Sequence, residues 1–142
     1  MIKIGVTGTR SGMSADQRES VSQFFDSLSE PVELHHGDCI GVDVEVAILA
    51  KEHGFRVVCH PPAKSILRAY HESDEIRAPL TYFFRNRNIT DETDTLIVVP
   101  FQSEWQSSGG TWYTYDYAKK KGKPVVVFFP KNQRLINPAD SG

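Results

Sequence analysis

Cysteine is nearly absent from this chain. Cys39 and Cys59 are the only two, and they form no Cys-x-x-Cys pair. That excludes a disulfide framework and fits a reducing compartment, so a cytoplasmic location is expected. Long apolar runs are missing too; the longest fall far below the ~20 residues a membrane helix needs. The N-terminal MIKIGVTG runs straight into a strand pattern, without the charged and apolar regions of a signal peptide. Charge of one sign is also lacking. Lys and Arg total 16 against 18 Asp and Glu, a net charge of −2, so no global basic field points to nucleic acid. Neither G-x-G-x-x-G nor G-x-x-x-x-G-K-[ST] occurs, which removes the dinucleotide fingerprint and the P-loop. No repeat, low-complexity stretch or internal linker divides the chain. What remains, at 142 residues and 39% hydrophobic, is one globular domain, expected over residues 1–130, with a polar tail over 131–142.

Short apolar runs alternate with helical patterns. Strands are expected at Ile2–Thr7, Val32–His35, Arg56–Cys59, Thr95–Val99 and Pro124–Phe129. A helix follows the capping-box pattern Ser14-Ala15-Asp16-Gln17, with Val21, Phe24, Phe25 and Leu28 at helical spacing. A second, nearly all-apolar helix covers Val42–His53 and is closed by Gly54; a third covers Thr111–Lys121. Between the third and fourth strands, Ser65–Ile76 is expected to be helical and Arg85–Thr93 to be a loop with a helical turn. Continuous apolar strands alternating with helices imply a parallel sheet covered on both faces. The expected fold is therefore α/β, a Rossmann-like three-layer domain with about five strands in the order 3-2-1-4-5. Right-handed crossovers place the loops after the strands on one edge, and ligands bind there at the reversal of strand order, between the first and fourth strands.

Four stretches at that edge carry chemistry. Ser108-Gly109-Gly110-Thr111 opens the third helix, where glycines let a phosphate approach unpartnered N–H groups and Thr111 can donate its hydroxyl. A plain glycine turn with a threonine cap would use the same residues. Gly8-Thr9-Arg10-Ser11 offers two hydroxyls and a guanidinium fork; the bland alternative is a solvated turn. In Gly37-Asp38-Cys39-Ile40-Gly41-Val42-Asp43 the glycines permit tight backbone, and Asp43 either complements the helix dipole or accepts ribose hydroxyls. Arg85-Asn86-Arg87-Asn88 can hold an anion, or can be a surface patch paired with Asp91, Glu92 or Asp94. His35, His36, Asp38 and Cys39 lack a second cluster with ligand spacing, so neither a metal nor a cofactor is expected. On the third helix, Trp112 and Tyr115 share a face that reads as core, while Tyr113 and Tyr117 share one that suits a subunit interface or a base-stacking wall.

Together, GTRSG, HGDCIGVD, RNRN and SGGT in this order resemble the SLOG superfamily, which holds the LOG nucleotide phosphoribohydrolases and the DprA DNA-processing proteins. The resemblance covers residues 1–130. Arg85-Asn86-Arg87 with Ile89 is similar to the R-N-R-x-I of DprA-type members, and Gly41-Val42-Asp43 to their G-[IA]-D. Gly110-Thr111 matches the end of the LOG motif P-G-G-x-G-T-x-x-E, but Ser108 stands near the expected proline and Thr114 where the catalytic glutamate falls. The resemblance thus implies a phosphate cradle and leaves the hydrolytic acid unassigned. Asp43, Glu104 and Arg85 are the candidates for a catalytic role.

The expected function is binding of a nucleotide-derived small molecule by a sensor or sequestering protein. The alternative is a LOG-like N-glycosidase releasing base from a nucleoside 5′-monophosphate, and a lesser one is single-stranded DNA binding as in DprA. A homodimer is expected from the resemblance and from the surplus tyrosines.

Overall fold

In the computed structural model, which describes residues 1–131, the order is β1 (Ile2–Gly8), α1 (Ala15–Asp26), β2 (Val32–His36), α2 (Val42–Glu52), β3 (Arg56–Cys59), a 3-10 turn (Ser65–Leu67), β4 (Glu75–Ile76), α3 (Tyr82–Glu92), β5 (Thr95–Val99), α4 (Gly110–Lys120) and β6 (Val125–Val127). Most of the tail expected over 131–142 lies outside the described residues. All strands pair in parallel, in the order β4-β3-β2-β1-β5-β6. The sheet has six strands rather than five, because β4 adds an edge beside β3. The reversal still falls between β1 and its neighbour β5, as the pattern of the strands requires. No helix among the described residues is long and apolar enough to cross a membrane.

The main core lies under α1 and α2. Ile4, Val6, Leu34, Val57, Ile97 and Val99 from the strands meet Val21, Phe25, Val42, Val46, Ala47 and Ala50 from the helices. On the opposite face Leu96 and Val98 pack against Ala118 of α4. Gly5 lets α3 lie directly on β1: a Cβ there would stand 2.9 Å from both Ile89 Cγ2 and Thr93 Oγ1. The capping box of α1 is complete, with Ser14 Oγ accepting from Gln17 N at 3.1 Å and Gln17 Oε1 accepting from Ser14 N at 2.9 Å. The Gln17 amide also donates to Pro100 O at 2.7 Å and Phe128 O at 2.8 Å, tying α1 to the chain just beyond β5 and β6.

Two expectations fail between β3 and β5. Ser65–Ile76 is no helix. Asp38 draws this segment into extended form: its carboxylate accepts from Arg68 Nε and His71 N, both at 2.9 Å, and its carbonyl from Ala69 N at 2.7 Å. Arg85–Thr93, in turn, is no loop but most of the helix α3. Its buried face is Arg85, Asn86, Ile89 and Thr90, so a helical period is present but carried mainly by polar side chains.

Candidate functional site

A cavity of about 320 Å³ opens at the carboxyl ends of β1 and β5. Its walls come from the loop after β1, from the first turns of α2, α3 and α4, and from the chain after β5. Gly8, Thr9, Arg10, Asp43, Arg85, Asn86, Ser108, Gly109, Gly110 and Thr111 all line it. Ser11, Gly37, Asp38, Gly41 and Arg87 do not, nor does Glu104.

The amino end of α4 is open. Gly109 takes φ +98°, and among the described residues no side chain caps the helix. A Cβ on Gly109 would meet nothing within 4 Å, whereas one on Gly110 would fall 1.7 Å from the Tyr82 hydroxyl. Thr111 is thus no N-cap; it lies one residue inside the helix, on the cavity wall. The uncapped first-turn N–H groups and the helix dipole give this wall a positive character.

Gly8 brings the first loop close: a Cβ there would lie 2.4 Å from Val42 Cγ1 and 2.8 Å from Val99 O. Thr9 fixes the loop with its backbone, donating to Val99 O at 3.1 Å and accepting from Val42 N at 3.1 Å and Gly12 N at 3.3 Å. Its hydroxyl accepts from Ser11 N at 3.1 Å. Arg10 is exposed and makes no ion pair among the described residues.

Arg85 is 2% exposed, and its guanidinium mostly binds protein. Nε donates to Asn86 Oδ1 at 2.7 Å, Nη1 to Gly37 O and to His60 O at 3.2 Å, and Nη2 approaches Cys39 Sγ at 3.5 Å. It holds the loops after β2 and β3 and leaves little donor capacity for a ligand. Gly37 is confined by this arrangement, since a Cβ would stand 2.4 Å from Arg85 Nη1. Arg87 is exposed and donates from Nε to Tyr113 Oη at 2.8 Å, on the α3–α4 surface. The acidic pairing expected for these arginines is not found among the described residues: Asp91 accepts from Tyr117 Oη, Glu92 from Arg77, and Asp94 from Lys3 N.

Asp43 is the buried carboxylate of the cavity, at 7% exposure. Burial pushes its pKa up from 3.8 to about 6, against the pull of Arg85 and of the N–H groups of Cys39 and Gly37. Cys39 N donates to its Oδ2 at 3.2 Å. Burial and Asp43 together raise the Cys39 thiol, so it stays protonated at neutral pH. Asp38, by contrast, is fully buried and braces the 65–71 segment. Gly41 takes φ +98°, and a Cβ there would press to 2.5 Å on Arg10 O. Both Asp38 and Gly41 shape the rim without reaching the cavity. Glu104 is exposed in the loop after β5 and lines a separate depression with Gln102 and Gln106.

Several walls of the cavity lie outside the four loop motifs. Tyr82, Phe101 and Gln102 line it, and so does the largely buried Trp112. Phe101 follows Pro100 at the end of β5, the position at which a ligand-edge residue is expected, and it is 65% exposed. Tyr82 stands in the first turn of a helix the apolar pattern did not show.

Folding also gathers groups that ligand spacing in the sequence kept apart. His35 Nε2 donates to Glu33 Oε1 at 2.7 Å, so the neutral ring accepts at Nδ1 from His60 Nε2 at 2.8 Å. Burial holds His60 down to about 3, so it is neutral at neutral pH. His35, His60 and Glu92 bring donor atoms within 4.8 Å of one another, as do His36, Asp38 and Cys59. In the second group His36 is bound by Ser73 and Asp38 N, and Asp38 by Arg68 and His71.

No protein-family model matches the chain, and no curated protein matches it by sequence. Solved structures match its fold. DNA processing protein A (DprA) from Streptococcus pneumoniae superposes with a TM-score of 0.68 at 21% identity, over 89% of this chain and 50% of the other. The molybdenum cofactor binding protein from Rippkaea orientalis gives 0.67 at 22%, over 89% and 75%. The molybdenum cofactor carrier protein from Chlamydomonas reinhardtii gives 0.62 at 21%, over 99% and 86%. The chain shares their fold. That agrees with the resemblance carried by its loop motifs, and DprA is common to both.

Proposed function

We propose that the cavity binds a nucleotide-derived small molecule, with its phosphate at the amino end of α4 and its base against the aromatic walls. The observation that carries this is the uncapped start of α4, glycine-lined and facing a cavity that also holds the unpaired Arg10. An anion there meets free N–H groups, the positive end of the dipole and a guanidinium. Tyr82 and Phe101 offer planar faces for a base. Carriers of the molybdenum cofactor share the fold, which makes that phosphorylated pterin a further candidate of the same chemical class. Calorimetric titration with the four ribonucleoside 5′-monophosphates and the molybdenum cofactor tests the reading. One ligand should bind. Gly110→Ala combined with Thr111→Val removes the Thr111 hydroxyl and pushes the Tyr82 ring away from the start of α4. It should weaken binding at least tenfold while far-UV circular dichroism shows the chain still folded. Unchanged affinity in that double variant would sink the assignment.

A second reading rests on Asp43. A buried carboxylate brought to about 6 in a ligand cavity is suited to proton transfer near neutral pH. If the ligand is turned over, Asp43 is the group that orients water or stabilises positive charge on the ribose, as in a nucleotide N-glycosidase. Asp43→Asn would then abolish release of free base while Glu104→Gln, which lies off the cavity, would not.

The proposal includes a homodimer. Tyr113 and Tyr117 turn toward α3, where they bond Arg87 and Asp91, leaving Phe83 and Phe84 exposed at 53% and 62% on that side. Sedimentation velocity of wild type and Phe84→Glu tests this, the variant being expected to sediment as monomer.

A further inference from the structure

A second cavity of about 260 Å³ adjoins the first. Pro62, Ala63, Lys64 and Thr81 line it, together with Arg10 and Tyr82, and the last two also line the first cavity. Arg10 and Tyr82 therefore stand on the path between the two. The far wall is fixed by backbone: Ala63 N donates to Leu80 O at 2.8 Å and Leu80 N to Pro61 O at 3.3 Å, joining the chain after β3 to the approach to α3. Tyr82 is held from both sides, with its hydroxyl against Gly110 and the Arg85 guanidinium 5.2 Å from its ring centre.

The charges along this path are unbalanced. Among the described residues neither Arg10 nor Lys64 makes an ion pair, and no carboxylate lines the second cavity. Pro62, Ala63 and the Tyr82 ring make the remaining wall largely apolar. Two unpaired cations beside an apolar pocket match a ligand that continues from its first phosphate through a second anionic group into a planar or apolar moiety. A nucleoside monophosphate would fill the first cavity and leave Lys64 without a partner.

We infer that the ligand has two parts: a nucleoside in the first cavity, with its phosphate between the amino end of α4 and Arg10, and a second organic group seated against Pro62, Ala63 and Tyr82, whose own phosphate lies at Lys64 and forms a pyrophosphate with the first. This rests on the proposed reading of the first cavity. The test compares the four ribonucleoside 5′-monophosphates with the four symmetrical dinucleoside diphosphates by calorimetric titration, in wild type, Ala63→Trp and Lys64→Glu. Ala63 is exposed at the mouth of the second cavity and away from the first, so a tryptophan there obstructs only the second. The expected result is a dinucleotide bound at least tenfold more tightly than its monophosphate. That advantage should vanish in Ala63→Trp and shrink in Lys64→Glu, while the monophosphate affinity stays within twofold in Ala63→Trp. Equal affinities in wild type, or an advantage that survives Ala63→Trp, would overturn the inference and leave the first cavity's reading standing. Failure of every nucleotide of both kinds to bind would overturn the inference, and failure of the molybdenum cofactor to bind as well would overturn the first cavity's reading with it.

Discussion

Asp43→Asn should change how stability depends on pH, and by an amount the structure sets. The folded chain raises this carboxyl from 3.8 to about 6, so the native state binds its proton more tightly than the unfolded state does. The stability contributed by protonated Asp43 is complete below 3.8 and is lost as pH climbs through about 6. Each pKa unit is worth about 1.36 kcal/mol, which makes the full loss roughly 3 kcal/mol. Of this, roughly 1–2 kcal/mol falls between pH 5 and pH 7.5 by the same linkage. Asparagine cannot titrate, so wild-type stability minus that of Asp43→Asn should decline by roughly 1–2 kcal/mol over this window. His36 and His60 act in the opposite direction. Burial holds both at about 3, so their contribution is present above 6.5 and is lost as pH falls toward 3. Both histidines are common to the two chains and cancel in the difference. Urea unfolding at half-unit pH steps measures it. A difference constant with pH would refute the conclusion that burial raises the Asp43 carboxyl.

Other consequences follow from the same geometry. Arg85→Met removes the donors to Gly37 O and His60 O and the charge opposite Asp43; it should cost about 3–5 kcal/mol in urea unfolding at pH 8, and less when combined with Asp43→Asn. Arg87→Ala should leave ligand affinity within twofold in calorimetry, because Arg87 bonds Tyr113 outside the cavity. Gly8→Ala would drive a Cβ to 2.4 Å from Val42 Cγ1, and should destabilise the chain by about 1–3 kcal/mol in thermal or urea unfolding.

Those elements whose hydrophobic period matched their structure were legible in the sequence. Arg56–Cys59 and Thr95–Val99 carry unbroken apolar strands, and Ser14 with Gln17 marks the start of α1. These fix the reversal of strand order beside β1, and with it the position of the cavity. The loops Gly8–Arg10 and Ser108–Thr111 were legible for the same reason: each follows a readable strand. α3 was not, because α3 presents Arg85 and Asn86 to the interior beside Ile89 and Thr90. An arginine that is 2% exposed reads as surface until its acceptors are known, and these are the backbone carbonyls of Gly37 and His60, far off in sequence. Asp38 is a similar case. In the sequence it stands among ligand-like glycines, yet Arg68 and His71 N take up its carboxylate across a loop whose course no local pattern encodes. Tyr82 and Phe101 were missed because aromatics on a cavity wall have the same composition as aromatics in a core.

The central claim is that the cavity between β1 and β5 holds a phosphorylated nucleotide-like ligand. The most direct measurement incubates the protein with a panel of nucleoside mono-, di- and cyclic phosphates and the molybdenum cofactor, then follows the ultrafiltrate over time by liquid chromatography–mass spectrometry. The account predicts that one compound is depleted in proportion to protein, is recovered intact on denaturation, and is no longer depleted by the Gly110→Ala, Thr111→Val variant. Free base accumulating with time would move Asp43 from ligand wall to catalyst. A panel passing through undepleted and unchanged would contradict the claim.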